Sequence, residues 1–313
     1  MSELLSSIVV EEPEYIDVVG YKDSRIPDEQ YKELLDRILT NGKKIGTQLE
    51  DSALTIMGHQ LRYDLRNGFP LMTERDLSKT AQPAFAELSA FLNGARTLEE
   101  LDKFGCGFWK SFITQEKTDK RGLAEGDLGD GSYGVAYHDF PTGETGVTFN
   151  QIKAVISQIK EKPHLRTHIA TTIVPHTNFR AEGYEQKTVW VPCHGSMLHF
   201  RVMENELYLH HTQRSADTPI GLVSNIAQYA GLLLVVAKET GYRPAEYIHT
   251  LSDAHIYERQ IEDVEELISR ETKPFPRALV SMALNDTFSW RKGDIKIEDY
   301  YPHPAMKIDT PNN

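Results

Sequence analysis

The chain has 313 residues, 40% hydrophobic and 26% charged, enough to bury a large core in one big domain or two small ones. Its net charge of −12 argues against a broad nucleic-acid or membrane surface, because phosphate backbones are held by accumulated Lys and Arg, so any bound anion must sit in a local basic pocket. Two cysteines, Cys106 and Cys193, exclude a disulfide framework and a cysteine zinc cluster, and no metal site is expected. The longest apolar run, Ala230 to Ala237, is too short to span a bilayer, and the N-terminus lacks the basic start of a signal peptide. A cytoplasmic protein with two free thiols is expected.

In chain order, residues 1–27 are acidic, carry Pro13 and Pro27, and read as an irregular arm. Residues 28–313 read as a single domain. "PDEQYKELLDRILTNG" has an acidic start, apolar residues at helical spacing and a stop at Gly42. "ALTIMGHQLRYDL" predicts a strand pair around Gly58, and "AFAELSAFLNG" a buried helix closed by Asn93 and Gly94. From Gln115 to Gly146 the residues predict a long loop region. The helix "NQIKAVISQIKEK" follows and stops at Pro163, and "RTHIATTIV" reads as a β-branched strand. "SMLHFRVM" and "LYLHHTQR" predict two strands joined by the turn "ENE". A buried helix covers Val223 to Thr240, the strand "EYIHTL" comes next, and Ser252 or Asp253 is expected to open an amphipathic helix. The pattern is α+β with largely antiparallel strands, and no repeat is evident.

Four short stretches carry candidate chemistry. In "VPCHGSM", Cys193 and His194 are adjacent at what reads as the start of a strand. Neighbours on a strand face opposite sides, so His194 is not expected to take the proton of Cys193, and an activated thiol there needs another cause, such as a nearby guanidinium. In "QRSAD", Gln213 to Asp217, Arg214 offers a fork and Ser215 a hydroxyl, a pair suited to phosphate or to an ordinary strand-end salt bridge. In "GLVSNIAQYA", an inward-facing Asn225 offers one donor and one acceptor, matching the N3–H and O4 edge of uracil. "SDAHIY" contributes His255 and Tyr257.

The order of these motifs, with "SRETKPFPRALV", "YYPHPAMKI", "LTIMGHQLRYDLRNGFPLMT", "AELSAFLNG", "FWKSF" and "GDLGDGSYG", resembles thymidylate synthase and its relatives, the pyrimidine-nucleotide hydroxymethylases, from about Tyr31 to Lys307. The resemblance implies a three-layer α+β fold with a large mixed, mainly antiparallel sheet and covering helices. It implies folate-dependent one-carbon transfer to C5 of a pyrimidine nucleoside monophosphate, with 5,10-methylenetetrahydrofolate as cosubstrate. Cys193 matches the nucleophile that adds to C6 and Glu87 the general base, a carboxylate whose apolar helix would raise its pKa. Tyr133 matches the tyrosine near the C5 proton. Asn225 and water ordered by His194 would stabilise charge at O4. Gln213, Arg214, Ser215 and Arg166 match nucleotide-binding positions, with His255 and Tyr257 on the sugar 3′-hydroxyl. Trp109, Asp217 and Gly221 match the folate side. A homodimer is implied, with Arg166 acting across the interface.

The sequence departs from the family in several places. Where four arginines usually surround the phosphate, "TQLEDSA" places Gln48 or a neighbour at one position and "LRTH" places Thr167 at another. Phe112 stands where the synthase has a second tryptophan, the segment after Tyr133 lacks its usual basic, Trp-containing character, and "KIDTPNN" is polar where a synthase ends apolar. A tail that closes over the site favours hydride transfer by excluding water, whereas a loose polar tail favours hydroxymethylation. The leading expectation is therefore thymidylate synthase acting on dUMP. The alternative is a hydroxymethylase acting on dUMP, CMP or dCMP. A noncatalytic nucleotide-binding homologue is a third reading, opposed by the presence of Cys193, Glu87 and Asn225.

Overall fold

A computed structural model describes residues 14–47 and 51–310. Its first segment is the short strand β1 (Tyr15–Ile16), which pairs with β10 (Arg277–Ser281). Within residues 14–27 only Tyr15–Ile16 form a regular element and the rest of the arm is irregular as read, although Val19 is fully buried. Helix α1 (Gln30–Asn41) buries Tyr31, Leu34, Leu35 and Ile38, the three- and four-residue spacing of one helical face. The edge strand β2 (Lys43–Gly46) then leads to β3 (Ser52–Asp64). The predicted strand pair is one 13-residue strand: Gly58 (φ 73°) drops out of the ladder between Met57 and His59, which bends the strand without reversing it.

Helix α2 (Ser78–Leu92) is followed by the short helices α3 (Leu98–Lys103), α4 (Gln115–Asp119) and α5 (Tyr133–His138), and by a small hairpin of β4 (Phe140–Pro141) and β5 (Thr148–Phe149). The stretch read as loop thus contains two helices. Helix α6 (Gln151–Glu161), capped by the Asn150 side chain, matches its prediction. The "RTHIATTIV" stretch pairs as a strand only at β6 (Ile169–Ala170), because Thr171 and Thr172 turn their hydroxyls onto the carbonyls of Ser196 and His194. After α7 (Pro175–Asn178) come β7 (Met197–Met203) and β8 (Glu206–Asp217), joined at Glu204 and Asn205.

Helix α8 (Gly221–Thr240) ends at Gly241, and β9 (Arg243–Tyr257) follows. Among the described residues α8 is the one helix long and apolar enough to cross a membrane, and it lies buried inside the protein. Strand β9 runs five residues beyond Ser252, to Tyr257, so both positions predicted to open a helix are strand. The inward alternation of Tyr247, His249 and Leu251, continued by Ala254 and Ile256, outweighs their capping tendency. The amphipathic helix is α9 (Ile261–Ser269), and β11 (Ile295–Glu298) closes the three-stranded sheet β1-β10-β11.

The main sheet has the order β2-β3-β9-β8-β7-β6, antiparallel throughout except for the parallel β8/β9 pair, which α8 connects. Helix α8 covers the sheet and α2 packs on α8, giving the expected mixed α+β architecture. Gly231 permits that close approach, since a Cβ there would lie 2.9 Å from the Phe85 ring. This contact between helices brings Glu87 on α2 against Gln228 on α8.

Candidate active site

Cys193 and His194 lie in a loop that precedes β7, not in a strand. Main-chain bonds dock this loop on both sides: Arg214 N–H donates to Cys193 O (2.8 Å) and Thr172 N–H to Gly195 O (3.0 Å). Gly195 has φ 64°, and a Cβ there would collide with the Tyr137 hydroxyl, so only glycine fits the turn. Cys193 is partly exposed, whereas Cys106 is buried with its thiol pushed up to about 12 by burial.

Tyr133 is the centre of the cysteine's surroundings. Its hydroxyl accepts the Cys193 N–H (2.8 Å) and stands 3.3 Å from Sγ, which leaves its own proton free to donate to sulfur. Its ring is stacked between His194 (4.2 Å) and Phe91 (4.8 Å). His194 Nδ1 instead meets the Tyr229 hydroxyl at 2.7 Å, so there is no Cys-His dyad, though the reason is this bond and not strand alternation. Burial pushes the His194 pKa down to about 3 and keeps the ring neutral at ordinary pH. Burial also raises the Cys193 pKa, opposed by the Tyr133 bond and the Arg214 charge. The guanidinium expected from the sequence is present, but desolvation outweighs it.

A chain of buried amides crosses from β8 to α2. Gln213 Nε2 donates to Ser215 O and to Asn225 Oδ1, both at 2.9 Å. Asn225 Nδ2 donates to Gln228 Oε1 (3.0 Å), and Gln228 Nε2 donates to Ala84 O (3.1 Å) and to Glu87 Oε2. Trp109 Nε1 donates to the other Glu87 oxygen at 2.5 Å. Burial raises the Glu87 pKa to about 7 against these two bonds, in the direction the apolar helix predicts. Asn225 retains one N–H and one acceptor lone pair.

Arg214 Nε and Nη2 donate to the carbonyls of Pro192 (3.2 Å) and Val191 (3.3 Å), and it has no carboxylate partner among the described residues. The salt-bridge reading is therefore excluded there, and an uncompensated cation sits beside the cysteine loop. The parallel register places Ser215 opposite Asp253 and Asp217 opposite His255. Asp253 Oδ1 accepts from Ser215 Oγ (3.4 Å) and lies 2.6 Å from His255 Nδ1, while Tyr257 stands edge-on to His255 at 5.1 Å. Arg166 is exposed, with no hydrogen bond or ion pair among the described residues, and Thr167 bonds to Gln158. It is not brought to Arg214's cluster within this chain. Gln48 lies outside the described residues.

The folate side also has a physical basis. Burial raises the Asp217 pKa to about 6. A Cβ on Gly221 would meet only the Asp217 Cβ, at 4.0 Å, so there is open room beside the carboxyl. Gln260 Nε2 reaches both Asp217 oxygens (3.4 Å) and Asp309 O (3.1 Å). Asp309 N–H donates to Asp263 (2.9 Å) and Ile308 is buried, so through Asp309 the tail is docked and not loose. Asp217 is thus a buried carboxyl with open room beside it.

Residue-by-residue reading missed Gln228, His211, His249 and Tyr229. A signal was available for Gln228: it lies three residues after Asn225 on an otherwise apolar helix, hence on the same face. His211, Gln213 and His249 likewise fall at two-residue spacing on the inward faces of β8 and β9, in line with Leu207, Leu209, Tyr247 and Leu251.

A partly exposed thiol, a buried carboxyl and a chain of buried amides lie together where α2, α8 and β8 converge. The family model described as Thymidylate synthase matches residues 29–311, and the chain belongs to that family. Its members are one-carbon transferases that act on pyrimidine nucleotides with methylenetetrahydrofolate.

Proposed function

We propose that this chain is a thymidylate synthase, converting dUMP and 5,10-methylenetetrahydrofolate into dTMP and dihydrofolate. The observation that carries the reading is the pairing of a reachable thiol, 3.3 Å from the Tyr133 hydroxyl, with a buried carboxyl whose pKa is about 7. The Cys193 thiolate adds to C6 of uracil, making C5 a carbon nucleophile. The free Asn225 N–H and water ordered by His194 meet the charge at O4. Glu87, poised near neutral pH, moves protons at O4 and C5 through water, with the Tyr133 hydroxyl beside the C5 proton. Expulsion of the sulfur from C6 completes the cycle.

Gln213, Arg214 and Ser215 bind the nucleotide, with His255 and Tyr257 on the sugar 3′-hydroxyl. Trp109, Asp217 and Gly221 hold the folate. When bound, it supplies the one-carbon unit and, in the synthase reaction, a hydride. A homodimer is part of the proposal, with the partner subunit's Arg166 reaching the phosphate. Arg166, exposed and without a partner among the described residues, stands beside edge strand β6 and supports this, as does the exposure of Ile169 (43%) on that strand.

The second reading, a 5-hydroxymethylase releasing tetrahydrofolate, is supported by Phe112 at the tryptophan position and by the polar C-terminal sequence. The docking of Asp309 favours the synthase, because a seated tail excludes water. Product analysis of dUMP turnover decides between them. Dihydrofolate with a methylated base supports the synthase, and tetrahydrofolate with a hydroxymethylated base supports the alternative.

A further inference from the structure

The polarity of the buried amide chain is fixed at both ends. Ser215 O and Ala84 O are main-chain carbonyls that only accept, so the nitrogen of Gln213 must face the first and the nitrogen of Gln228 the second. Both protons of Gln213 Nε2 are then used, on Ser215 O and Asn225 Oδ1. Both protons of Gln228 Nε2 are used on Ala84 O and Glu87. His249 Nε2 meets Gln213 Oε1 at 3.0 Å, and its Nδ1 is without a partner, consistent with a proton on Nε2. Asn225 is held between a donor and an acceptor. Turning its amide over would set two N–H groups against each other at Gln213 and two oxygens against each other at Gln228.

Resting on the reading of Asn225 as the residue that meets the base, we propose that Gln228 is a specificity and positioning residue. Its Oε1 locks the Asn225 amide in the orientation that reads uracil and rejects cytosine, and its Nε2 ties that amide to the Glu87 carboxyl. Uracil presents O4 as acceptor and N3–H as donor. Cytosine presents an N4 amine and a bare N3, the reverse pattern, and would require the turned amide. Base reading and the general base are thereby held by one side chain.

Two variants separate the two contacts. Gln228→Met keeps the length of the side chain and removes both. Gln228→Glu keeps an acceptor for Asn225 Nδ2 and removes the donor to Glu87. Among the described residues the titratable groups facing Glu87 are the thiols of Cys106 and Cys193, present in both variants, and Gln228→Glu adds a second carboxyl beside it.

The test measures dUMP and dCMP affinity by calorimetry on the full chain, together with the pH dependence of turnover. The Met variant is expected to lose about tenfold of the dUMP-over-dCMP preference, the value of one hydrogen bond's selectivity. A purely structural defect would weaken both nucleotides alike and leave their ratio unchanged. The Glu variant is expected to keep the ratio while the acid limb of turnover moves to higher pH, because Glu87 exchanges a donor that favours its charged form for a neighbouring carboxyl that disfavours it. An unchanged ratio in Gln228→Met overturns the proposal, and should that variant not fold, an unmoved acid limb in Gln228→Glu does so. If wild type binds neither nucleotide, the proposed function itself fails. If wild type prefers dUMP and both variants behave like it, only this inference fails.

Discussion

Replacing Tyr133 with phenylalanine removes one oxygen that serves three groups of the cysteine loop, the Cys193 N–H, the Cys193 sulfur and, at 3.5 Å, the His194 N–H. The Cys193 N–H loses its acceptor at 2.8 Å, and a buried donor left unmade costs about 1–3 kcal/mol. At ~2–4 °C per kcal/mol for a large domain, Tm should fall by roughly 2 to 12 °C. The sulfur loses the donor at 3.3 Å. A hydrogen bond to a charged group is worth about 1.5–3 kcal/mol, which raises the thiol pKa by roughly 1 to 2. Iodoacetamide labelling followed across pH reads this directly, because Cys106, buried with a pKa of about 12, stays silent. Labelling of Cys193 in Tyr133→Phe at neutral pH should be at least about tenfold slower than in wild type. The ring stack with His194 and Phe91 is retained in the variant, so its effect isolates the hydroxyl. Labelling curves that superimpose across pH would refute the claim that this hydroxyl tunes the thiol.

Three further outcomes are expected. Burial holds the His249 pKa down to about 3, so its contribution to stability is full above the unfolded value of 6.5 and is lost as pH falls toward the folded one. Denaturant unfolding should therefore show His249→Gln gaining about 2 kcal/mol on wild type between pH 7 and pH 5, and a difference independent of pH would contradict this. Arg214→Lys loses the fork held by the Val191 and Pro192 carbonyls, so dUMP should bind about 10- to 100-fold more weakly by calorimetry, and unchanged affinity would remove Arg214 from the phosphate site. Arg166→Ala and Cys193→Ala should each be inactive alone yet recover about a quarter of wild-type activity when refolded together, since half the dimers then carry one complete site. No recovery would contradict the cross-subunit role.

Long, strongly patterned elements were legible in the sequence: α1, α6, α8 and the β7/β8 hairpin appear where apolar spacing puts them. Errors arose where side chains served the site instead of their own segment. Ser252 and Asp253 look like helix caps, but Asp253 is used by Ser215 and His255, and β9 continues through it. Thr171 and Thr172 look like strand residues, but their hydroxyls hold the cysteine loop. Glu87 alone reads as an exposed helix position, because nothing local announces that Trp109 and Gln228 will close over it from other elements. The motif order supplied the family, whereas the amide chain from Gln213 to Glu87 depends on α2, α8 and β8 converging and could only be seen in three dimensions.

In the proposed reaction Cys193 bonds to C6 of a uracil nucleotide while a one-carbon unit is delivered to C5. Incubation with 5-fluoro-dUMP and methylenetetrahydrofolate, then digestion and mass spectrometry, tests that bond directly. The expected result is a ternary adduct on the peptide containing Cys193, absent from Cys193→Ala. Full turnover of dUMP by Cys193→Ala, or wild-type protein that forms no adduct, would contradict it.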